Sequence, residues 1–242
     1  MTNDRARRCG VAIMAKAPRP GYVKTRLQGV LQPEEAAALG TAFLRDTAEN
    51  LRAAAAVAPI DPFVAYAPAG QEARFDGLLP DGTALLLADG SFGVADGVEG
   101  FGCVLLETMR RLFGLGYGAA CVLAADSPTL PTDALAAAAH RLLDGAEAVL
   151  GAVDDGGYYL LGLRMARPEP FAGIRWSTDY AAQDTRDRLA TAGVPLLELP
   201  PWFDVDDPAA LARLIADPRG YPAPHTAAAL APMRLAARLA GA

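Results

Sequence analysis

The chain has 242 residues, 52% hydrophobic and 21% charged, a balance that excludes a disordered chain and supplies enough apolar surface for a substantial core. Its formal net charge of −6 argues against a general nucleic-acid or membrane-surface binder, because those partners reward positive fields. An anionic ligand must therefore meet a local cluster of cations.

The apolar stretch near the N-terminus ends at Lys16, too short for a signal peptide, and every other apolar run is interrupted by charges, Gly or Pro. A cytoplasmic protein with no membrane partner is expected. Cys9, Cys103 and Cys121 are odd in number, widely spaced and flanked by apolar residues, as suits reduced, buried thiols. His140 and His225 fall in no zinc-ligand spacing.

Short runs rich in Val, Ile and Leu alternate with longer helical stretches, the pattern of an α/β fold with a largely parallel sheet covered by helices. A strand over 9–15 is followed by a helix over 33–56, whose Pro33, Glu34 and Glu35 make a favourable first turn. Strands follow over 62–66 and 84–88, then a helix over 103–113 and a strand over 120–125. A helix over 131–143 precedes strands over 148–153 and 159–163, a helix over 179–192 and a strand over 195–199. Asp207 before Pro208 marks the next helix start. Residues 1–220 read as one domain, and 221–242 as an Ala/Leu/Arg helical extension that packs on it. The sequence is also compatible with a homodimer.

In an open parallel sheet, ligands gather at the carboxyl ends of the strands, so the loop after the first strand is the natural place to search. It reads AKAPRPGYVKTRL, with Lys16, Arg19, Lys24 and Arg26 inside eleven residues. Pro18, Pro20 and Gly21 fix or permit turns that bring backbone close to an anion. Arg26 offers a fork to phosphate oxygens, while Lys16 and Lys24 act as point charges. The plainer reading is a solvated loop. Neither a Walker loop nor a GxGxxG fingerprint is present.

Five segments in order resemble the bacterial DUF2064, or GT-A glycosyltransferase-like, family of the nucleotide-diphospho-sugar transferase superfamily. They are KAPRPGYVKTRL at 16–27, LAADSPTLP at 123–131, DDGGYYLLGL at 154–163, IRWST at 174–178 and PPWFDVDDPAAL at 200–211. The K-T-R-L element also looks like the triphosphate loop of small guanylyltransferases of deazaflavin- and molybdenum-cofactor synthesis. The resemblance implies a single-domain GT-A fold, a mostly parallel central sheet with helices on both faces, and a nucleotide-activated donor. In one departure, residues 95–109 read ADGVEGFGCVLLETM where relatives carry an L-G-E-R-M-like element, so the arginine of that element is absent.

Nucleotide phosphates are usually handled with Mg²⁺ or Mn²⁺, which take carboxylate oxygens. Asp126 follows an apolar strand and belongs on the same rim as the basic loop, although capping a local turn would explain it equally well; the resemblance makes it a metal ligand. Asp204 and Asp206 share one side of an extended segment, with Asp207 better explained as a helix cap. Resemblance to sugar nucleotidyltransferases favours Asp206 as the second ligand and Asp204 beside it. On the acceptor side, Asp155, Gly157 and Tyr158 lie where a hairpin turn is the plainer reading. Trp176 and Ser177 precede a helix that Ser177 or Thr178 could cap. The resemblance turns both segments toward the cleft.

The expected activity is nucleotidyl transfer from a nucleoside triphosphate to a small phosphorylated or acidic acceptor, with Lys24, Asp126 and Asp155 as the catalytic set. The alternatives are glycosyl transfer from a nucleotide sugar and a non-catalytic nucleotide-binding protein.

Overall fold

The computed structural model describes residues 4–16, 19–92, 95–217 and 219–239. Pro18 of the basic loop and the last three residues of the C-terminal extension lie outside them. The described residues form a seven-stranded sheet: β1 (Cys9–Lys16), β2 (Ile60–Ala67), β3 (Ala84–Leu87), β4 (Ala119–Ala124), β5 (Ala148–Ala152), β6 (Tyr158–Leu163) and β7 (Leu196–Glu198). Their spatial order is β3-β2-β1-β4-β6-β5-β7. β6 alone runs against its neighbours, pairing antiparallel with β4 and β5, while the other pairs are parallel. The hairpin reading of 154–157 therefore holds, and β6 starts at the rim where the other strands end.

The helices are α1 (Pro33–Ala55), α2 (Phe101–Gly114), α3 (Thr132–Leu143), α4 (Ala181–Thr191), α5 (Pro208–Ala216), α6 (Pro224–Leu230) and α7 (Ala236–Leu239). Alternate residues of the central strands divide between two cores, because successive side chains of a strand point to opposite faces. Cys9, Val11, Ile13, Cys121 and Leu123 pack with α1 and α3. Ala12, Ala120 and Val122 pack with α2 and α4.

A third core joins Leu27, Leu39 and Phe43 to Phe203, Val205, Leu211, Met233 and Leu235, tying the basic loop and the 203–205 segment to the same end of α1. Helix starts follow their sequence signals: the Glu35 carboxylate accepts the Gln32 N–H at 2.8 Å, and Asp207 accepts the Ala210 N–H at 2.7 Å.

The C-terminal stretch is not one helix. A 3-10 turn over Ala231–Met233 and a left-handed Arg234, with φ at 47°, separate α6 from α7. Pro232 has no N–H to continue α6, and a left-handed residue ends helical geometry. Both pieces fold back toward α1. Asp46, fully buried, accepts the His225 and Thr226 N–H groups at 3.0 and 2.6 Å. Arg238 pairs with Glu35 at 2.7 Å.

Among the cysteines, Cys9 and Cys121 are buried thiols 3.7 Å apart. Cys103 is only half-buried, because it lies near the exposed start of α2. No helix of the described residues is long and apolar enough to cross a membrane.

Candidate active site

A cleft of about 570 Å³ opens at the carboxyl ends of β1, β2 and β4. Lys16, Lys24, Arg26, Asp126 and Asp206 all line it. Local folding explains each placement. Lys16 ends β1, and Asp126 lies two residues beyond the end of β4, its hydrogen-bonded neighbour. Asp206 reaches the same rim on an extended segment that pairs beside β5 through the Val153–Trp202 bridge. The Val205 N–H then donates to the Asp126 carbonyl at 2.9 Å, fixing the two aspartates side by side.

Lys24 occupies the middle of this arrangement. Its backbone is left-handed, with φ at 50° and ψ at 41°, a conformation that is uncommon for a residue with a Cβ and that clusters at functional sites. Buried Leu27 anchors the turn that follows it. The ammonium contacts the Asp126 carboxylate, the Asp206 carboxylate at 2.8 Å and the Val205 carbonyl at 3.0 Å, and lies 5.1 Å from the centre of the Phe43 ring. Burial opposes its charge, but Asp126 and Asp206 outweigh that and hold the Lys24 ammonium above the usual lysine range.

Asp204 is not a partner of Lys24. Burial first, then the charges of Asp155, Asp206 and Asp126, push its carboxyl up to about 7. Asp204 thus lies close enough to Asp155, Asp206 and Asp126 to feel their charges.

The oxygens around the Lys24 ammonium, two carboxylates and a carbonyl, are of the kind that suits Mg²⁺ or Mn²⁺. Among the described residues, no three His, Cys, Asp or Glu side chains gather into a metal centre. A cation at Asp126 and Asp206 would complete its shell with water and ligand oxygens, as Mg²⁺ commonly does.

Tyr22, Val23 and Thr25 of the basic loop also line the cleft, whereas Arg19 and Gly21 do not. The Arg19 guanidinium lies over the Tyr22 ring at 4.5 Å and is not part of the cleft lining. Gly21, with φ at 79°, makes a turn that glycine adopts without strain, next to the cleft residue Tyr22. The loop thus lends Lys16 and the run from Tyr22 to Arg26 to the cleft lining.

Ser177 lines the cleft in a left-handed conformation, with φ at 61°. Neither Ser177 nor Thr178 caps α4, which starts at Ala181 with no side-chain cap. Thr178 instead closes a local turn by donating to the Arg175 carbonyl at 2.7 Å. Trp176 and Tyr158 are not among the residues that line the cleft; their ring centres are 6.4 Å apart. The Asp155 carboxylate accepts the Gly157 N–H at 2.9 Å, so part of its role is to shape the hairpin.

Sequence reasoning missed Phe101, which lines the cleft, is 48% exposed, and meets Trp176 edge-to-face at 5.7 Å. Its signal was the run Gly100-Phe101-Gly102. Gly102 leaves room for Trp176, whose indole nitrogen would lie 3.1 Å from a Cβ at that position.

Residues 47–178, just over half of the chain, match the family described as an uncharacterized protein conserved in bacteria, DUF2064. The chain belongs to this family. The DUF2064 match includes Asp126, Asp155, Gly157, Tyr158, Trp176 and Ser177; the basic loop, Asp204 and Asp206 lie outside it.

The DUF2064 chain is similar in structure to a protein from Desulfovibrio desulfuricans G20 provisionally named a nucleotide-diphospho-sugar transferase. The two are 27% identical, the match covers 93% of this chain and 96% of that one, and the TM-score is 0.74. CMP:2-keto-3-deoxy-manno-octonic acid synthetase, solved in complex with CTP, shares the fold at 15% identity, with 86% and 97% of the two chains covered and a TM-score of 0.53. No curated protein sequence matches the chain. The DUF2064 fold seen here is that of the nucleotide-diphospho-sugar transferases.

Proposed function

We propose that this protein is a metal-dependent nucleotidyltransferase that joins the NMP portion of a nucleoside triphosphate to a small phosphorylated or acidic acceptor. The observation that carries this reading is the convergence of Lys16, Lys24 and Arg26 with Asp126 and Asp206 on one cleft of an otherwise acidic protein. Lys16 and Arg26 hold and orient the phosphates from the β1 side, and Lys24 adds a third cation between them and the carboxylates. A divalent cation held by Asp126 and Asp206 supplies charge stabilisation at the phosphates.

The acceptor oxygen attacks the α-phosphorus, a new P–O bond forms, and the bond to pyrophosphate breaks. Ser177, with Phe101 and Trp176 beside it, forms the wall on which the acceptor is oriented. Asp155, at the tip of the hairpin, is the group to receive a proton from a hydroxyl acceptor.

Glycosyl transfer from a nucleotide sugar is the second reading. It is favoured by the pairing of the exposed Phe101 ring with Trp176, an apolar face on which a sugar ring could stack, and by the name of the Desulfovibrio protein. Pyrophosphate release across the common nucleoside triphosphates with Mg²⁺ or Mn²⁺ tests the first reading. Product from a nucleotide sugar without pyrophosphate release would replace it with the second.

A further inference from the structure

Only two of the 22 basic residues are lysines, Lys16 and Lys24, and both line the cleft. Elsewhere the chain pairs its acids with arginine, as in Arg175 with Asp184 and Arg186 with Glu198. The planar guanidinium suits such fixed two-point contacts, whereas an ammonium is a compact point charge on a rotatable stem.

The burial around Lys24 is uneven. Its side chain is 5% exposed, yet those of Asp126 and Asp206 are 41% and 37% exposed, open to the cleft in which a ligand would lie. The carboxylates can be reached by a second cation from solvent without unfolding anything. One ammonium between two carboxylates leaves a negative charge uncancelled. A divalent cation cancels both, and binds harder oxygens better than an ammonium does.

We propose that Lys24 is an exchangeable resident cation. A divalent metal takes the Asp126–Asp206 pair from it, and the released ammonium turns into the cleft beside Lys16 and Arg26 to hold the donor's phosphate. This rests on the metal–nucleotide reading above and deepens it.

Metal and anion then bind as a coupled pair. Metal arrival adds a positive charge to the phosphate wall, and phosphate, by keeping Lys24 away from the carboxylates, tightens the metal. The coupling is reciprocal by thermodynamic necessity. Until metal arrives, Lys24 keeps the carboxylates from repelling one another and competes with solvent cations for them.

With only two lysine side chains to follow, the exchange can be read by amine labelling. Full-length wild-type protein is treated briefly with an acetylating reagent, in EDTA or with Mn²⁺, and acetylation at each lysine is measured by peptide mass spectrometry. In EDTA, Lys24 should react about tenfold more slowly than exposed Lys16, being buried and ion-paired. Mn²⁺ should raise the Lys24 rate roughly tenfold and change Lys16 much less. In parallel, electron paramagnetic resonance measures free Mn²⁺ against wild type and Lys24→Met. Removing the internal competitor should tighten Mn²⁺ binding by about tenfold, since an occupied site lowers apparent affinity by its occupancy.

If wild type binds Mn²⁺ while Lys24 stays unreactive, or if Lys24→Met binds Mn²⁺ no more tightly, Lys24 is a permanent strut and the exchange is overturned, with the metal-dependent reading intact. If neither protein binds Mn²⁺, that reading fails and the exchange with it. Should Lys24→Met misfold, the wild-type labelling decides alone.

Discussion

The Val205 N–H donates to the Asp126 carbonyl at 2.9 Å, and this backbone bond joins two segments remote in sequence so that Asp126 and Asp206 meet the same lysine. The carboxylate pair is therefore fixed by main chain, which survives substitution of either side chain.

Asp126→Asn should accordingly keep its fold while losing activity. Circular dichroism should match wild type, since Lys24 retains Asp206 and the Val205 carbonyl. Turnover in the pyrophosphate-release assay should fall about 10²–10³-fold, the usual cost of removing one preorganised charge-stabilising group. Undiminished turnover would remove Asp126 from the reaction.

The raised carboxyl of Asp204 makes stability depend on pH. Folding lifts its pKa from the ordinary 3.8 to about 7, so the folded state binds the proton more tightly than the unfolded chain. That contribution is complete below the unfolded value and is lost as pH rises through about 7. In EDTA, Asp204→Asn should thus flatten the decline in melting temperature between about pH 5 and about pH 8. Parallel curves for the two proteins would show that Asp204 does not titrate in this range.

Asp46 tests how the C-terminal segment is held. Asp46→Ala strands the buried N–H of Thr226 and the neighbouring His225 N–H, each worth about 1–3 kcal/mol when left unsatisfied. The melting temperature should drop by roughly 2–4 °C per kcal/mol lost, and limited proteolysis should cut first within 221–239. Cleavage elsewhere, with the segment still protected, would mean that Met233 and Leu235 in the third core suffice to hold it.

Gly156 tests the hairpin. It has φ at 88°, and a Cβ there would lie 2.0 Å from the Asp179 carbonyl oxygen. The left-handed backbone alone costs an alanine about 1–2 kcal/mol, and the clash adds to it. Gly156→Ala should lower the melting temperature and weaken the bond from the Ala182 N–H to the Gly156 carbonyl, now 2.9 Å. A variant as stable as wild type would mean that 179–182 moves aside freely.

The sequence by itself determined the α/β alternation, the approximate element boundaries and the Asp207 cap, because periodicity, capping and turn chemistry act over a few residues. It also led to the hairpin between β5 and β6. Only the tertiary structure decided that Arg19 lies over the Tyr22 ring, that α6 and α7 are separate, and that Phe101 meets Trp176 edge-to-face.

Above all, it decided where Lys24 goes. In sequence, Lys24 was one cation among four and Asp126 and Asp206 were a distant acidic pair; in space they are in direct contact. That contact depends on the neighbouring of β1 with β4, the bridge of Trp202 to Val153, the bond of Val205 to Asp126, and the buried anchor at Leu27. These are long-range pairings, set by how the cores close around the sheet, and no local pattern encodes them.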